Sequence, residues 1–248
     1  MSFLLKKIRL AGFLARRVPA LGLRQCVRGF RERRMSYLAM ELAEVLPGGI
    51  ATIVDVGAHA GLVSEALDFL YQPSRIWVVE PNPAHGPSLE GRFSGRPQFR
   101  VVRSCLGERS ADVAFNVHDF DAASSLYACR AGHLASFGFE EGRTAITVPM
   151  TTLSEMLSGE PGAIDLLKLD CQGAELSVLK GAGGRLRDVR WVYCEVSIDP
   201  IYEGAPLWGE VHEFLRASGF ELRKVGEFAG AGKSIQWADA LYANSSRT

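Results

Sequence analysis

The sequence lacks the features that define several classes of protein. No apolar run approaches the roughly 20 residues that a membrane-spanning helix needs, so no such helix is predicted. Charged residues make up 23% of the chain and the mean hydropathy is close to zero, which excludes a disordered or collagen-like protein. With 47% hydrophobic residues the chain can bury a substantial core, and we expect one globular domain.

Cysteine is scarce. There are five cysteines, an odd number, and their spacing matches no paired metal-binding motif. We therefore expect reduced thiols in a cytoplasmic protein, without disulfides and without a metal site. The cysteines are Cys26, Cys105, Cys129, Cys171 and Cys194.

The net charge of zero conceals an uneven distribution. Residues 1–34 contain ten Lys or Arg and a single acid, Glu32, so the rest of the chain is acidic. Apolar residues recur in this segment at roughly helical spacing, but the basic residues interrupt any continuous apolar run of the signal-peptide type. We predict a basic helical arm over 1–45 and a domain over 46–248. The arm could contact an anionic membrane surface or pack as a lid on the acidic domain, and both alternatives stay open.

Short β-branched runs alternate with helical segments from Ile50 onward. Strands that are nearly all apolar are typical of a parallel sheet covered by helices on both faces. The last two strands, joined by a glycine-bearing turn, suit an antiparallel hairpin at the sheet edge. We thus predict a Rossmann-like α/β fold. The predicted strands cover 50–57, 75–81, 99–107, 163–170, 189–197, 220–228 and 234–244, and the predicted helices cover 61–70, 83–93, 174–183 and 207–219.

An insertion interrupts this alternation at about 108–150. It contains two β-like runs, ADVAFNVHD and TAITVPMTT, on either side of the loop DFDAASSLYACRAG. Because ligands of open α/β sheets bind beyond the carboxyl ends of the strands, we expect the insertion to recognise the substrate there. Asp119 and Ser125 are its candidate substrate-binding residues.

The first site motif is DVGAHAG, residues 55–61, between a strand and a helix. Gly57 and Gly61 would let the backbone turn sharply beside a ligand. The pattern D-x-G-x-x-x-G differs from the dinucleotide motif G-x-G-x-x-G, and Asp55 would repel a pyrophosphate. It suits S-adenosylmethionine, which carries an ammonium and a sulfonium. We assign Asp55, Gly57, His59 and Gly61 to the site of this cofactor.

The second site motif is Glu80, which ends the next strand in WVVEPN. A carboxylate at this position can accept hydrogen bonds from both ribose hydroxyls of a nucleoside ligand. We expect Asn82, which follows this strand, and Ser104, which lies in the next predicted strand, to line the same cofactor pocket. The ribose acid alone would also fit a nicotinamide or nucleotide-sugar enzyme, but the two motifs in this order favour a methyltransferase.

The third site motif is IDLLKLDCQGAE, residues 164–175. Asp170 stands at the carboxyl end of the fourth strand and Glu195 near the end of the fifth, so both are candidate catalytic acids or bases. His118, in the insertion, is the third candidate because the pKa of a histidine lies near neutrality. Glu175 begins the next helix and is expected to contact the substrate. Alternatively, Asp170 only caps that helix and Lys168 is its surface partner.

Taken together, these segments resemble the FkbM-type methyltransferases. The resemblance rests on VDVGAHAG, VVEPNP, TVPMTTLSEML, IDLLKLDCQGAELSVLKGA and VYCEVS, and extends from about residue 50 to 222. It implies a class I methyltransferase fold, S-adenosylmethionine as cofactor, and commonly O-methylation of sugars or polyketide hydroxyls. By the same resemblance, the cofactor is held by Asp55, Gly57, Gly61 and Glu80, and the active crevice is lined by Asp170, Gly173 and Glu175.

The sequence departs from the family pattern at two places. Cys171-Gln172 replaces an apolar residue followed by Glu, and His59 stands where Asn is common. We expect an S-adenosylmethionine-dependent O-methyltransferase that acts on a hydroxyl of a sugar, glycolipid or secondary metabolite. One alternative is a nucleic-acid methyltransferase with the arm as its electrostatic footprint, which the acidic domain disfavours. The other is a non-catalytic cofactor-binding module, which the retained Asp170 and Glu175 disfavour.

Overall fold

The computed structural model describes Leu42 and residues 45–230 and 234–247. The basic segment 1–34 and the helix predicted for it lie outside these residues. The strands of the described chain are β1 (Thr52–Val56), β2 (Arg75–Val79), β3 (Phe99–Val102), β4 (Cys105–Leu106), β5 (Ala111–His118), β6 (Arg143–Thr151), β7 (Ile164–Leu169), β8 (Val189–Ser197), β9 (Phe220–Ala229) and β10 (Trp237–Asn244). The α-helices are α1 (Leu62–Tyr71), α2 (Gly86–Phe93), α3 (His133–Ser136), α4 (Leu153–Met156), α5 (Glu175–Gly181) and α6 (Trp208–Ala217).

Seven strands form the central sheet, in the order β3-β2-β1-β7-β8-β10-β9. β1 pairs in parallel with β2 and β7, and β10 pairs antiparallel with β8 and β9. The predicted α/β fold with an antiparallel edge hairpin is therefore confirmed. Because Val56 lies opposite both Val79 and Leu169, the carboxyl ends of β2, β1 and β7 are level at one edge of the sheet.

The core lies on both faces of this sheet. Alternate residues of each strand point to opposite faces, so Val54 belongs to one buried cluster and its neighbour Ile53 to the other. The first cluster includes apolar side chains of α4, α5 and α6, whereas the second includes those of α1 and α2. Both faces are thus covered by helices, as the nearly all-apolar strands predict. No helix in the described part of the chain combines the length and apolar character needed to cross a bilayer.

The insertion forms a second sheet of three strands, in the order β4-β6-β5. The prediction of a single strand over 99–107 is wrong, because the structure has two strands there. These strands, β3 and β4, belong to different sheets. The ladder of β3 with β2 ends where Val102 lies opposite Val79, and β4 then pairs with the end of β6 instead. The Ser104 hydroxyl stabilises this change of sheet by donating to the carbonyls of Cys105 and Pro149, at 2.8 and 3.0 Å.

Candidate active site

A cavity of about 580 Å³ lies beyond the carboxyl ends of the central strands, between the strand-end loops and the insertion. This is the place where ligands of open α/β sheets bind. Six of the predicted site residues line the cavity, and they are Gly57, His59, Glu80, Ser104, Asp170 and Glu195. The other seven do not line it, and they are Asp55, Gly61, Asn82, His118, Asp119, Ser125 and Glu175.

The two glycines of the first motif are required by packing within the protein. Both adopt a positive φ, +72° at Gly57 and +77° at Gly61, where a side chain would be strained. A Cβ at Gly57 would lie 1.8 Å from the Asp170 carbonyl oxygen, and one at Gly61 would lie 2.8 Å from Leu89 and Phe93. Gly61 does not line the cavity, whereas Gly57 does, so a place beside the ligand stays a prediction for Gly57. Gly57 lets two strand-end loops meet, and Gly61 lets α1 pack against α2.

Asp55 does not line the cavity and instead forms an ion pair with Lys168 inside the protein. Its side chain is fully buried and lies 3.0 Å from the equally buried Lys168 ammonium, and it also accepts a 2.5 Å hydrogen bond from Ser64. Burial alone would lower the pKa of Lys168, but Asp55 and Asp170 raise that pKa above its ordinary value. The predicted attraction of Asp55 for a cationic ligand is corrected accordingly, because Lys168 already neutralises its charge. The pair instead ties β1 to β7.

Glu80 is held in one orientation at the end of β2. Its Oε2 accepts the backbone N–H of His59 at 2.7 Å, and its Oε1 accepts that of Asn82 at 2.8 Å. Each carboxylate oxygen keeps a further lone pair, and the residue lines the cavity, so it can still accept hydroxyl donors. Burial raises the pKa of Glu80, while the two backbone N–H groups oppose that rise. Asn82 does not line the cavity. Its side chain caps the short helix Pro83–His85 by accepting the backbone N–H of Ala84.

Gln172 joins the two candidate catalytic carboxylates. Its Nε2 lies 2.7 Å from Asp170 Oδ1 and 3.1 Å from Glu195 Oε1, and its Oε1 accepts the Tyr202 hydroxyl at 2.7 Å. Gln172 has a φ of +54°, and His59 a φ of +50°, a conformation that costs free energy in non-glycine residues and clusters at functional sites. A glutamate at position 172 would put a third carboxylate between Asp170 and Glu195. The departure from the family pattern therefore has a physical consequence, since the neutral amide relieves that repulsion.

The two carboxylates differ in their surroundings. Burial, together with the nearby Asp170 and Glu175, raises the pKa of Glu195 well above its ordinary value. Asp170 is more open, with its side chain 39% exposed, and its Oδ2 lies 3.5 Å from the Lys168 ammonium. Glu195 thus favours its protonated form, in which it can donate a hydrogen bond.

Glu175 supports the turn between β7 and α5 from behind the cavity wall. Its Oε1 accepts the backbone N–H groups of Cys171 at 2.7 Å and Gly173 at 3.3 Å. Burial raises the pKa of Glu175 to about 7. The expectation of a direct substrate contact is corrected, because this carboxylate faces the backbone of the turn that carries Asp170 and Gln172.

Three residues of the insertion also have positions other than those predicted. Both ring nitrogens of His118 are buried without a hydrogen-bond partner among the described residues, and burial lowers its pKa. Asp119 is exposed beside Gly142. The Ser125 hydroxyl donates to the Gln172 carbonyl at 2.6 Å and so fastens the insertion to the β7 loop. None of these three residues lines the cavity, so the structure does not support the roles expected for His118 as a base and for Asp119 and Ser125 as substrate contacts.

The insertion contributes an aromatic wall that sequence reasoning missed. The rings of Phe120 and Phe139 stack with centroids 3.9 Å apart, and those of Phe137 and Trp237 lie 5.6 Å apart. Phe139 remains 40% exposed at the cavity mouth. No regular spacing in the sequence marks these rings, since Trp237 comes from the edge hairpin of the other sheet.

Comparisons with known proteins agree with this geometry. Residues 55–222 match the family described as Methyltransferase FkbM domain. A 2-O-methyltransferase NoeI of Sinorhizobium fredii is 23% identical over 192 residues, which cover 73% of this chain and 78% of the relative.

One solved structure supports the fold. The crystal structure of a methyltransferase FkbM from Methylobacillus flagellatus matches with a TM-score of 0.52 and 16% identity over 81% of this chain. The match covers 45% of that protein, so the present chain spans less than half its length. Aeropyrum pernix fibrillarin, solved with natively bound S-adenosylmethionine, matches with a TM-score of 0.47 and 15% identity over 80% of this chain and 69% of its own.

Proposed function

The chain belongs to the FkbM methyltransferase family and is an S-adenosylmethionine-dependent enzyme, and we propose that its acceptor is a hydroxyl group of a sugar, glycolipid or secondary metabolite. The observation that carries this proposal is the pair of carboxylates, Asp170 and Glu195, bridged by Gln172 in the same cavity as Glu80. A hydroxyl acceptor must lose its proton, and this pair offers a base at the wall of the site.

Glu80 fits the role of holding the cofactor ribose. The two backbone N–H groups that it accepts fix its orientation, and the remaining lone pairs of both oxygens are available to two hydroxyls. His59 and Ser104 line the cavity beside it. When bound, S-adenosylmethionine supplies a methyl group already activated by the sulfonium, so positioning can provide much of the rate.

Asp170 is assigned as the base. Methyl transfer to the acceptor oxygen would release the hydroxyl proton, and Asp170 would accept it. Gln172 orients the carboxylate through Nε2, and Lys168 keeps positive charge 3.5 Å away. Glu195, with its raised pKa, can donate a hydrogen bond to an acceptor oxygen.

The remaining wall supports an acceptor with an apolar face. Phe120, Phe137, Phe139 and Trp237 surround the part of the cavity formed by the insertion. Aromatic rings bind the apolar faces of ligands over a large area with little conformational freedom to lose. The name of the relative, a 2-O-methyltransferase, supports oxygen as the methylated atom.

Radiolabelled S-adenosylmethionine tests the proposal in cell extract of the source organism. We expect label in the carbohydrate, glycolipid or small-metabolite fraction with the wild-type protein, and a loss of that label with Asp170→Asn. Label that enters only nucleic acid or protein, or equal labelling by the Asp170→Asn variant, would contradict the proposed acceptor or the proposed base, respectively.

A further inference from the structure

Three side chains that are distant in sequence meet at the mouth of the cavity. His59 belongs to the loop after β1, His85 to the short helix Pro83–His85 after β2, and Asp121 to the short helix Asp121–Ala123 in the insertion. Each can offer one ligand atom, and these atoms lie within 4.8 Å of one another. The methyl-transfer chemistry described above uses neither His85 nor Asp121.

The nitrogens of the two histidines converge on the same carboxylate. His59 Nε2 lies 3.1 Å from Asp121 Oδ1, and His85 Nε2 lies 3.4 Å from Asp121 Oδ2. Both Nε2 atoms are buried, and neither has a hydrogen bond of good geometry in the described chain. Buried nitrogens of this kind need a partner, and a metal ion is one that satisfies both at once.

The two nitrogen–oxygen separations, 3.1 and 3.4 Å, are close to those between neighbouring ligands of a metal ion. Zinc–nitrogen bonds of about 2.0–2.1 Å in a tetrahedron place neighbouring ligand atoms about 3.3–3.4 Å apart. We propose that His59, His85 and Asp121 bind a divalent transition-metal ion of the zinc type. Two imidazoles and a carboxylate suit zinc better than magnesium or calcium, which prefer oxygen ligands.

The position of the cluster agrees with such a site. Three protein ligands leave one tetrahedral position open. Because His59 and Asp121 line the cavity, the ion would lie at the cavity wall, where a water molecule could complete its coordination. The metal would also connect Asp121 of the insertion to the loop after β1, in which the backbone N–H of His59 donates to Glu80.

Metal titration of the full-length protein tests this site independently of any acceptor. The protein is prepared without a polyhistidine tag, stripped with chelator, and titrated with Zn²⁺ by calorimetry and with Co²⁺ by visible absorption. We expect one equivalent to bind, and His85→Gln and Asp121→Asn each to weaken binding by at least about 10- to 100-fold. His212→Gln is the matched control, since His212 of α6 contacts Tyr242 of β10 and does not belong to the cluster.

The outcomes separate the metal site from a simple ion pair. Asp121 is exposed, so Asp121→Asn should fold even if His85→Gln does not. Saturable binding that persists unchanged in Asp121→Asn, or no one-to-one binding by the wild-type protein, would overturn the proposal. The cluster would then be a contact between Asp121 and the two histidines that holds no metal. Failure of the metal site would leave the methyltransferase proposal intact, because cofactor binding is measured separately.

Discussion

The strand-end loops of the central sheet and the inserted sheet enclose the same cavity, but they present different chemistry to it. On the side of the central sheet, polar groups are held in place, as Glu80 is by two backbone N–H groups and Asp170 by Gln172. On the side of the insertion, aromatic rings stack on one another and Phe139 stays partly exposed. In the proposed function, the first wall serves the cofactor and the chemistry, and the second contacts the acceptor.

Gln172 is the point at which the two walls are joined. Its side chain bridges the catalytic carboxylates, and its backbone carbonyl accepts the Ser125 hydroxyl from the insertion. Tyr202 links the same side chain to the insertion, because its hydroxyl lies 3.1 Å from the Ala123 carbonyl. The orientation of the base therefore depends on contacts from both walls. The substitutions below separate the contributions of the two.

The largest effect is expected from Asp170→Asn. Loss of a general base lowers turnover by about 10²–10⁴-fold, whereas cofactor affinity should change little because Glu80 is untouched. Single-turnover kinetics and calorimetry measure the two effects. Asp165→Asn is the control on the same strand, since Asp165 accepts the N–H groups of Ala51 and Thr52 and pairs with Arg190 at the opposite end. Wild-type turnover in Asp170→Asn would move the role of the base to Glu195.

Glu80→Ala should weaken cofactor binding. The loss of a charge-assisted pair of ribose hydrogen bonds is expected to cost about 1.5–3 kcal/mol, or roughly 10- to 150-fold in affinity. Calorimetric titration with S-adenosylmethionine and its demethylated product measures this change. Glu90→Ala is the matched control, because Glu90 is exposed on α2 and pairs with Arg103. Equal affinity in both variants would place the ribose elsewhere in the cavity.

Glu175→Gln should change the pH dependence of stability. Burial raises the pKa of Glu175 from 4.5 to about 7 in the folded protein, so its ionisation opposes folding as the pH rises through that interval. The amide oxygen can still accept the N–H groups of Cys171 and Gly173. We expect the wild type to lose about 1–3 kcal/mol relative to the variant between about pH 5 and pH 8. Chemical denaturation at both pH values measures this, with the exposed Glu213→Gln as control, and a constant difference would contradict the prediction.

The smallest effect is expected from Phe139→Ala. Removing one partner of the stacked pair with Phe120 should raise the acceptor KM by roughly 2- to 10-fold, the equivalent of about 0.5–1.5 kcal/mol. Cofactor affinity should not change, because the ring belongs to the other wall. Phe228→Ala is the control, since that ring is 54% exposed on the edge strand β9. A change in cofactor affinity rather than in KM would erase the distinction between the walls.

The sequence by itself determined the central sheet and the position of the strand-end acids. Apolar runs of strand length, alternating with helical segments, are typical of a parallel sheet with helices on both faces. The carboxyl ends of parallel neighbours meet at one edge, so Glu80, Asp170 and Glu195 could be placed in one cavity before the fold was known. The change of sheet after Val102 could not be predicted from the sequence, because it depends on which strands β3 and β4 pair with. β3 pairs with β2, whereas β4 pairs with β6.

Only the tertiary structure decided which polar residues face a ligand and which face the protein. The positive φ values of Gly57 and Gly61 serve contacts with Asp170 and α2, and neither contact is visible in the local sequence. Asp55 is neutralised by Lys168, a residue more than one hundred positions away. His59, His85 and Asp121 meet for the same reason, since residues from separate loops become neighbours only when the sheet aligns the strand ends and the insertion folds over them.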